Sequence, residues 1–366
     1  MCDCKLSRIR PDDRRMNEKV DQLLQQERIR RDKHIDVTYA LLDENATPIA
    51  TGSRFGNTLR SIAVDHRFQG LGLLNTLLSA LMEDAFSAGF QHLFLYTKPE
   101  AARFFADLGF YALAEVPGKL VFMENQKHGF ADYLDTLRKE TEAARARIET
   151  ARPGYRTGLA GTGDSAIVMN ANPFTLGHRF LVETAAASSP LLHLFILSED
   201  KSLFPFRLRM QLVRDCCADI PNLCIHESGP YIISGATFPS YFLRDEETAI
   251  LGHARLDLAI FQKIAAALSI GTRFAGEEPL SFVTGLYNQA MRQLLPAAGI
   301  RFVELPRKKT ETGTVISASF VRSCIKQNNL PALAEYLPPA VLSYLQSPKA
   351  KDVLAAIRAS DEVVHY

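Results

Sequence analysis

The segment from Asn170 to His178 contains residues whose types and spacing suit phosphate chemistry. It follows the apolar run Ala166–Met169, which predicts a buried parallel strand, and it precedes a run of helical periodicity, Arg179–Ala186. A helix that begins after such a turn presents unpaired backbone N–H groups and the positive end of its dipole, which favour an anion. His178 would project from that end and donate a hydrogen bond to developing negative charge. The segment therefore predicts a phosphate site.

A second segment, Ile316–Arg322, predicts another helix start that suits phosphates. Ser317 or Ser319 can cap that helix through a hydroxyl oxygen. Arg322 lies one turn beyond Ser319, and its guanidinium suits a leaving pyrophosphate. In order and distance, the two segments resemble the TxGH and ISxSxxR motifs of the HxGH nucleotidyltransferase superfamily, whose members attack the α-phosphate of ATP or CTP. Each segment alone also fits an ordinary capped helix.

That resemblance implies an ATP site and the residues that form it. His178 and Lys201 would stabilise the α-phosphate, and Thr175 would place a hydroxyl where the superfamily often has its first signature histidine. Lys201 follows an apolar strand, at the end where open α/β sheets bind ligands. The implied ATP-binding residues are Asn170, Ala171, Asn172, Phe174, Gly177, Arg209, Gly276, Glu277, Ser317, Ser319 and Arg322.

Simpler interpretations of some of these residues remain open. Lys201 also fits a solvated loop lysine, Arg209 a surface charge, and Gly276 a plain turn. Asn172 stands where the superfamily often has aspartate, which leaves the division of roles around the α-phosphate open.

A glycine loop in the first third of the chain predicts a second anion site. Arg67-x-x-Gly70-x-Gly72 follows a predicted strand and precedes an apolar helix from Leu73 to Phe86. Glycines there let backbone amides close on a diphosphate. The loop resembles the pyrophosphate loop of GNAT acetyltransferases. The resemblance implies that Arg67, Gln69, Gly70, Leu71 and Gly72 bind a CoA-like group.

Departures from the GNAT pattern predict a binding module rather than an active acetyltransferase. The segment Phe104–Phe110 resembles the family's F-Y-x-x-L-G-F element, but the usual tyrosine is Phe105, and a phenyl ring has no proton to give. Lys98 stands where an asparagine is expected. Tyr96 and Tyr111 lie nearby in sequence, and each is better explained as a core or rim aromatic.

The elements that must position these residues indicate an α/β chain. Residues 1–128 predict a GNAT-like α/β domain and residues 129–162 a helical linker. Residues 163–347 predict a doubly wound parallel sheet (Rossmann-like), since strands and helices alternate there. Residues 348–366 predict a C-terminal helix and tail. The first domain is expected to begin with a polar helix over residues 12–31, followed by a hairpin-like strand pair.

Composition excludes several functional classes. A content of 47% hydrophobic and 23% charged residues is ordinary for a soluble globular protein. The net charge of +1 argues against a nucleic-acid binder. No run approaches the ~20 apolar residues that span a bilayer, so no membrane partner is expected. The N-terminus lacks the apolar core of a signal peptide, which makes the cytoplasm the expected location.

No metal site built from protein ligands is predicted. The six cysteines form no disulfide framework, and Cys2-x-Cys4 has no second ligand pair at zinc spacing. His193 lies inside an apolar strand and is expected to be a hydrogen-bonded core histidine, while His226 and His253 have no partner at metal spacing. Mg²⁺ is expected only as a cation that bridges ATP phosphates with few protein ligands.

Taken together, nearly all of residues 1–350 resemble the citrate lyase ligase family. The match also includes Gly229–Ser234 and Gly276–Pro279, with Thr284 and Tyr287-Asn288. The resemblance implies ATP-dependent acetylation, through acetyl-adenylate, of the CoA-like prosthetic-group thiol on the acyl carrier subunit of citrate lyase. Acetate follows from the resemblance alone. The alternatives are a nucleotidyltransferase of cofactor biosynthesis and a GNAT acyltransferase with a regulatory nucleotide-binding domain.

Overall fold

A computed structural model describes residues 4–32, 34–154, 163–199, 202–232, 246–278 and 281–360. The chain divides into two compact units. The first comprises Met1–Phe130 and Phe238–Leu256, and the second comprises Ala131–Thr237 and Asp257–Tyr366. Strands and helices occur in both units, which confirms the predicted α/β class.

The first unit contains a seven-stranded sheet in the order β1-β2-β3-β4-β5-β7-β6. Its strands are β1 (Lys5–Ile9), β2 (Val37–Leu42), β3 (Pro48–Phe55), β4 (Thr58–Val64), β5 (Phe94–Thr97), β6 (Tyr111–Val116) and β7 (Leu120–Glu124). Its first helices are α1 (Arg14–Gln26), α2 (Leu73–Ser87) and α3 (Pro99–Ala106). Neighbouring strands are antiparallel except β4 and β5, which run parallel.

Helix α1 is shorter than the predicted 12–31. Asp13 caps its start by accepting a hydrogen bond from the Met16 N–H at 3.0 Å. The helix ends at Gln26 because Arg28 adopts a left-handed conformation with φ 57°. The sequence analysis did not predict β1, β6 and β7. Strand β7 is buried at every position, so it lacks the alternation by which a half-buried strand is recognised.

The parallel pair β4–β5 opens a cavity in the first unit. The two strands pair only at Thr58↔Phe94 and Leu59↔Leu95. Beyond those pairs, Ile62 to Val64 of β4 and Tyr96 to Thr97 of β5 line a cavity of about 450 Å³. The strands therefore part at their carboxyl ends, where the start of α2 also reaches the cavity.

The second unit contains a wholly parallel sheet, as predicted, and its five strands follow the order β10-β9-β8-β11-β12. Its strands are β8 (Asp164–Met169), β9 (Leu192–Ile196), β10 (Leu223–Glu227), β11 (Ile270–Gly276) and β12 (Arg301–Leu305). The strand order reverses direction between β8 and β11. Ligands of open α/β sheets bind at such a switch point, outside the carboxyl ends of the strands.

In the described parts of the chain, eight further α-helices follow α3. They are α4 (Gly129–Ala151), α5 (Leu176–Ala187), α6 (Phe206–Cys216), α7 (Glu246–Leu268), α8 (Phe282–Ala297), α9 (Ala318–Lys326), α10 (Pro339–Gln346) and α11 (Lys351–Ala359). Helix α4 occupies the first part of the predicted helical linker 129–162, of which residues 155–162 lie outside the described residues. Within the described residues, no helix is both long and apolar enough to cross a membrane.

The core of the second unit extends into the loops at the carboxyl edge of its sheet. Phe174, Phe204 and Ile316 lie outside helices and strands, yet each is at most 4% exposed and belongs to the same apolar cluster as Val182 of α5 and Val321 of α9. Fully burying such a side chain contributes about 1.5–3 kcal/mol. The loops that follow β8, β9 and β12 are therefore anchored by packing.

Candidate active site

The turn after β8 ends in a reciprocal cap at the start of α5. The Thr175 hydroxyl oxygen accepts a hydrogen bond from the His178 N–H at 3.3 Å, and His178 Nδ1 accepts one from the Thr175 N–H at 3.0 Å. A backbone N–H can only donate, so Nδ1 is an acceptor and the neutral ring carries its proton on Nε2. His178 thus offers an Nε2–H donor on the side of the ring remote from the cap.

His178 is held neutral. Burial of the ring disfavours its charged form and lowers the pKa of His178 to about 4. The positive charges of Arg307 and Arg322 contribute a smaller part of the same shift. The ring of Phe174, which is fully buried, stacks against it with centroids 5.6 Å apart. At neutral pH, the ring can therefore donate a hydrogen bond but carries no positive charge.

The structure brings the two sequence motifs into contact. A side-chain carbon at Gly177 would lie 3.1 Å from the carbonyl oxygen of Ile316. Arg322 Nη1 donates to the Asn172 carbonyl oxygen at 2.5 Å, across a separation of 150 residues. Ser317 caps α9 by accepting a hydrogen bond from the Phe320 N–H at 3.1 Å. Two helix starts, each able to bind an anion, therefore lie side by side at the switch point.

Two predicted ATP-binding arginines are buried beneath the loops. Arg322 is 1% exposed, and its Nη2 also donates to the Ser319 hydroxyl at 3.2 Å. Arg209 is 0% exposed, which excludes the surface-charge interpretation. Its guanidinium donates to the carbonyl oxygens of Phe204 (2.9 Å), Asn170 (2.8 Å), Leu197 (2.8 Å) and Glu199 (2.6 Å). Arg209 thus joins the chain segments that leave β8 and β9.

Asparagine side chains complete the junction of those segments. Asn170 and the Ser202 hydroxyl exchange hydrogen bonds at 3.0 and 3.1 Å. Asn172 Oδ1 accepts from the Phe204 N–H at 3.0 Å, so the residue that replaces the superfamily's aspartate holds the neighbouring loop. Lys201 lies outside the described residues, and its role stays a prediction.

The carboxyl end of β11 contributes a third side of the site. The Gly276 carbonyl oxygen accepts from Asn288 Nδ2 at 3.0 Å, and the Glu277 N–H donates to the Leu305 carbonyl oxygen at 2.9 Å. Arg307 donates to the Glu277 carbonyl oxygen at 2.7 Å and pairs with the Glu278 carboxylate. The sequence analysis missed Arg307. The sequence signal that could have identified Arg307 is its position directly after β12, because that strand lies beside β11 at the switch point.

Gly177 offers a direct test of the contact between motifs. We expect Gly177→Ala to lower the rate of nucleotide chemistry about tenfold, because the new methyl group must displace Ile316 and small misplacements of reacting groups are costly. The measurement is the rate of pyrophosphate formation from ATP. Gly285→Ala is the matched control, since a methyl group there meets only the Glu278 carbonyl oxygen at 3.7 Å, an ordinary contact. Equal rates in both variants would contradict the importance of this contact.

The predicted glycine loop borders the cavity of the first unit. Gln69, Gly70 and Gly72 line it, whereas Arg67 instead forms a 2.6 Å ion pair with Asp65, and Leu71 is 58% exposed. Gly70 and Gly72 have φ values of +81° and +75°, a conformation that side chains other than glycine rarely adopt. Gly72 precedes α2 and supplies no side-chain cap, so N–H groups of the first turn are left for an anion.

The aromatic residues around that cavity match the interpretation from sequence. Phe105 lines the cavity at 6% exposure, where the GNAT pattern usually has tyrosine. Tyr96 is also 6% exposed, with its ring stacked on Phe122 at 4.6 Å, and Tyr111 is 41% exposed at the start of β6. Tyr96 is thus a buried aromatic that also lines the cavity, and Tyr111 is a rim aromatic.

Comparison with known families assigns both parts of the chain. Residues 164–345 match the family described as "Citrate lyase ligase C-terminal domain". Residues 8–110 match the "Acetyltransferase (GNAT) family". Among solved structures, the ribosomal-protein-S18-alanine N-acetyltransferase from Escherichia coli is 19% identical and covers 33% of this chain and 92% of its own, with a TM-score of 0.25.

Two curated relatives match almost the whole chain. The [citrate [pro-3S]-lyase] ligase of Escherichia coli (strain K12) is 37% identical over 347 residues, which cover 93% of each chain. The enzyme of the same name from Klebsiella pneumoniae is 38% identical over 339 residues, which cover 91% of this chain and 93% of the relative. The chain belongs to the citrate lyase ligase family.

Proposed function

We propose that this protein is an ATP-dependent acid–thiol ligase that activates citrate lyase. The reaction acetylates the thiol of the CoA-like prosthetic group on the lyase's acyl carrier subunit and releases AMP and pyrophosphate. Family membership supports the link to citrate lyase. The observation that carries the chemistry is the contact between the starts of α5 and α9, made by Gly177 with Ile316 and by Arg322 with Asn172.

The first step forms acetyl-adenylate. A carboxylate oxygen of acetate attacks the α-phosphorus of ATP, the bond from that phosphorus to the β-phosphate's bridging oxygen breaks, and pyrophosphate leaves. His178 Nε2–H donates to a non-bridging α-phosphate oxygen, and Lys201 is proposed to neutralise the same group. The first N–H groups of α9, with the Ser319 hydroxyl, hold the departing pyrophosphate. Positioning and charge neutralisation supply most of the acceleration in such transfers.

Three of the predicted site residues act through others in this proposal. Thr175 is 1% exposed and fixes the His178 ring through their shared cap. Arg209 positions the loops after β8 and β9 by binding their carbonyl oxygens. Arg322 fixes the Asn172 carbonyl and adds positive charge beneath the phosphates. These are positioning residues.

The residues at the site fit Mg²⁺ that is held mainly by phosphates. Glu278 is already engaged by Arg307 and by the Ser281 N–H at 3.1 Å, and the Glu277 side chain is exposed. When bound, Mg²⁺ supplies neutralisation of phosphate charge. Such ions usually keep several waters and take few carboxylate ligands, as expected here.

In the second step, the carrier thiol takes the acetyl group. Its sulfur attacks the carbonyl carbon of acetyl-adenylate, the carbon–oxygen bond to AMP breaks, and the thiol proton passes to solvent. Gly70, Gly72 and the uncapped start of α2 suit the diphosphate of the prosthetic group. Phe105 cannot donate the proton that an acetyltransferase tyrosine supplies, which favours a binding role for this cavity.

The test of the proposal is pyrophosphate release from ATP by the purified protein. We expect release to depend on acetate and to become catalytic once the thiol form of the carrier subunit is added. Acetyl transfer to the carrier is followed by the mass of the intact subunit. A lack of acetate-dependent release would reject the adenylation step, and release that required a phosphate-bearing acceptor would indicate a nucleotidyltransferase of cofactor biosynthesis.

Gly70→Glu is expected to separate the two steps. A carboxylate in the glycine loop repels a diphosphate and strains a position at φ +81°, so transfer to the carrier should weaken at least tenfold while adenylate formation is spared. Gly118→Glu is the matched control, because Gly118 also has positive φ (+68°) and open surroundings but lies in the β6–β7 turn. An equal loss of both steps in Gly70→Glu would contradict separate sites.

The low pKa of His178 predicts how stability depends on pH. The unfolded chain binds this proton near pH 6.5, whereas the folded ring binds it only near pH 4. Between these values the unfolded state holds more protons, so the free energy of unfolding should fall as pH falls through this window. In His178→Gln it should fall less steeply, as measured by denaturant unfolding at several pH values. Parallel curves for the two proteins would show that the ring is not held neutral.

A further inference from the structure

A buried cluster of metal-binding residue types lies on the face of the second sheet that α4 covers. His193 of β9 and Cys224 and His226 of β10 place their ligand atoms within 4.8 Å of one another. Both histidines are 0% exposed and Cys224 is 6% exposed. The sequence analysis found no partner for His226 at metal spacing along the chain, whereas the fold brings His193 and Cys224 close to it. The strands bring together residues that lack zinc spacing along the chain.

The two histidines face each other, with carboxylates behind them. His193 Nε2 lies 3.3 Å from Asp164 Oδ2, and His226 Nδ1 lies 2.5 Å from Glu140 Oε2. The inner nitrogens, His193 Nδ1 and His226 Nε2, are 2.9 Å apart. An ionised carboxylate only accepts hydrogen bonds, so the tautomer that satisfies both carboxylates carries the proton of each neutral ring on the outer nitrogen.

That arrangement leaves two nitrogen lone pairs directed at each other. Lone pairs at 2.9 Å repel unless a cation lies between them, either a shared proton or a metal ion. The nearby guanidinium groups do not supply a cation between the two ring nitrogens. Arg145 pairs with Asp164, and Arg147 donates to the Leu223 carbonyl oxygen at 2.8 Å.

The third donor favours a metal ion. A shared proton needs only the two rings, whereas Cys224 Sγ adds a soft ligand that suits zinc. Histidines that bind metals usually donate their other ring N–H to a carboxylate, which is the position that Asp164 and Glu140 occupy. Both carboxylates thereby fix the ring orientation that the inner nitrogens need.

We propose that His193, Cys224 and His226 supply three of the four ligands of a zinc ion. Tetrahedral zinc, with bonds of about 2.0–2.3 Å, separates its ligand atoms by about 3.3–3.6 Å. The inner nitrogens would need to move apart by only about 0.4 Å to reach that spacing. Zinc binds cysteine as the thiolate, so binding at Cys224 would release the thiol proton.

The zinc would fix α4 to the sheet. Glu140 of α4 contacts His226 Nδ1 through its carboxylate, so zinc bound to the other side of that ring would tie the helix to β10. None of these residues is among those placed at the nucleotide site. Removal of zinc is therefore expected to lower the melting temperature of the protein while pyrophosphate chemistry persists below it.

The experiment uses the full chain purified from zinc-supplemented medium. Metal analysis should find about one zinc per chain, as for a single tetrahedral site. Replacement of zinc by Co²⁺ should give the strong visible bands of tetrahedral cobalt and a near-ultraviolet thiolate band. Cys224→Ser should lose the thiolate band and His226→Gln most of the bound metal. Cys217→Ser is the matched control and should keep both, because Cys217 is buried at 2% exposure in another part of the fold.

Three outcomes would overturn the zinc site. The first is metal-free protein whose Co²⁺ complex shows only weak octahedral bands, which would leave a shared proton between the rings. The second is tightly bound metal that Cys224→Ser and His226→Gln both retain. The third is a wild-type cobalt spectrum without a thiolate band, which decides the matter even where a variant fails to fold. Loss of ATP chemistry alone would concern the proposed function and not the zinc.

Discussion

His178→Ala is expected to lower the rate of acetate-dependent pyrophosphate release by about 10²-fold or more, with ATP binding less affected. The alanine removes the Nε2–H donor that, in the proposed mechanism, stabilises the developing charge on the α-phosphate. It also removes one half of the cap that starts α5, although the Thr175 hydroxyl can still accept from the backbone N–H of residue 178. The measurements are single-turnover pyrophosphate formation and the ATP dissociation constant.

His178→Gln distinguishes a lost donor from a disturbed helix. A glutamine amide retains an N–H donor of similar reach, so we expect a smaller rate loss than in the alanine variant. Folding is monitored by thermal unfolding of both variants. Unchanged turnover in His178→Ala would remove the ring from the mechanism. If both variants lost activity equally, and in proportion to the fall in their melting temperatures, the His178 ring would have only a structural role.

Arg209→Met is expected to lower the free energy of unfolding by about 3–5 kcal/mol, since it leaves several buried carbonyl oxygens without their charged donor. The methionine keeps the apolar stem, so the loss reports the hydrogen bonds to Asn170, Leu197 and Glu199 rather than missing volume. The measurement is equilibrium denaturation with urea. Because these carbonyls belong to the active-site loops, adenylation should also weaken below the unfolding transition.

Arg214→Met provides the matched control on the same helix. Arg214 is exposed near the end of α6, so its replacement should change stability by no more than about 0.5 kcal/mol. Similar denaturation midpoints for Arg209→Met and the wild type would contradict the role of Arg209 as the tie between loops. A loss of adenylation without any loss of stability would instead favour the direct ATP contact that the sequence motif implies.

Local signals in the sequence were enough to predict the two helix starts. A hydroxyl residue before a helical run predicts a cap. Ser317, one of the two predicted caps, caps α9, and Thr175, which the sequence analysis did not identify as a cap, caps α5. Alternation of strands and helices also predicted the parallel sheet, because it depends on patterns within short windows. The contact between Gly177 and Ile316 could not be predicted from short windows, because it depends on how distant segments pack.

Long-range geometry also explains the residues that were missed or reassigned. Arg307 lies outside both motifs, and only the pairing of β11 with β12 brings it to Glu277 and Glu278. His193 and His226 are far apart in the sequence because α6 separates strands β9 and β10 in the chain, although the two strands pair in the sheet. A motif specifies residue types, whereas burial decides whether an arginine such as Arg209 contacts a ligand or supports a loop.

The close approach of Gly177 to Ile316 has a consequence for how the protein is made. Residues from both ends of the second unit form the proposed ATP site, so a nascent chain that ends before residue 316 would lack the α9 half of it. ATP and its analogues should therefore give little protection to such a chain against proteolysis, and protection should begin only after Arg322 has left the ribosome. ATP would therefore stabilise only chains whose synthesis has passed Arg322, because shorter chains lack part of the proposed binding site.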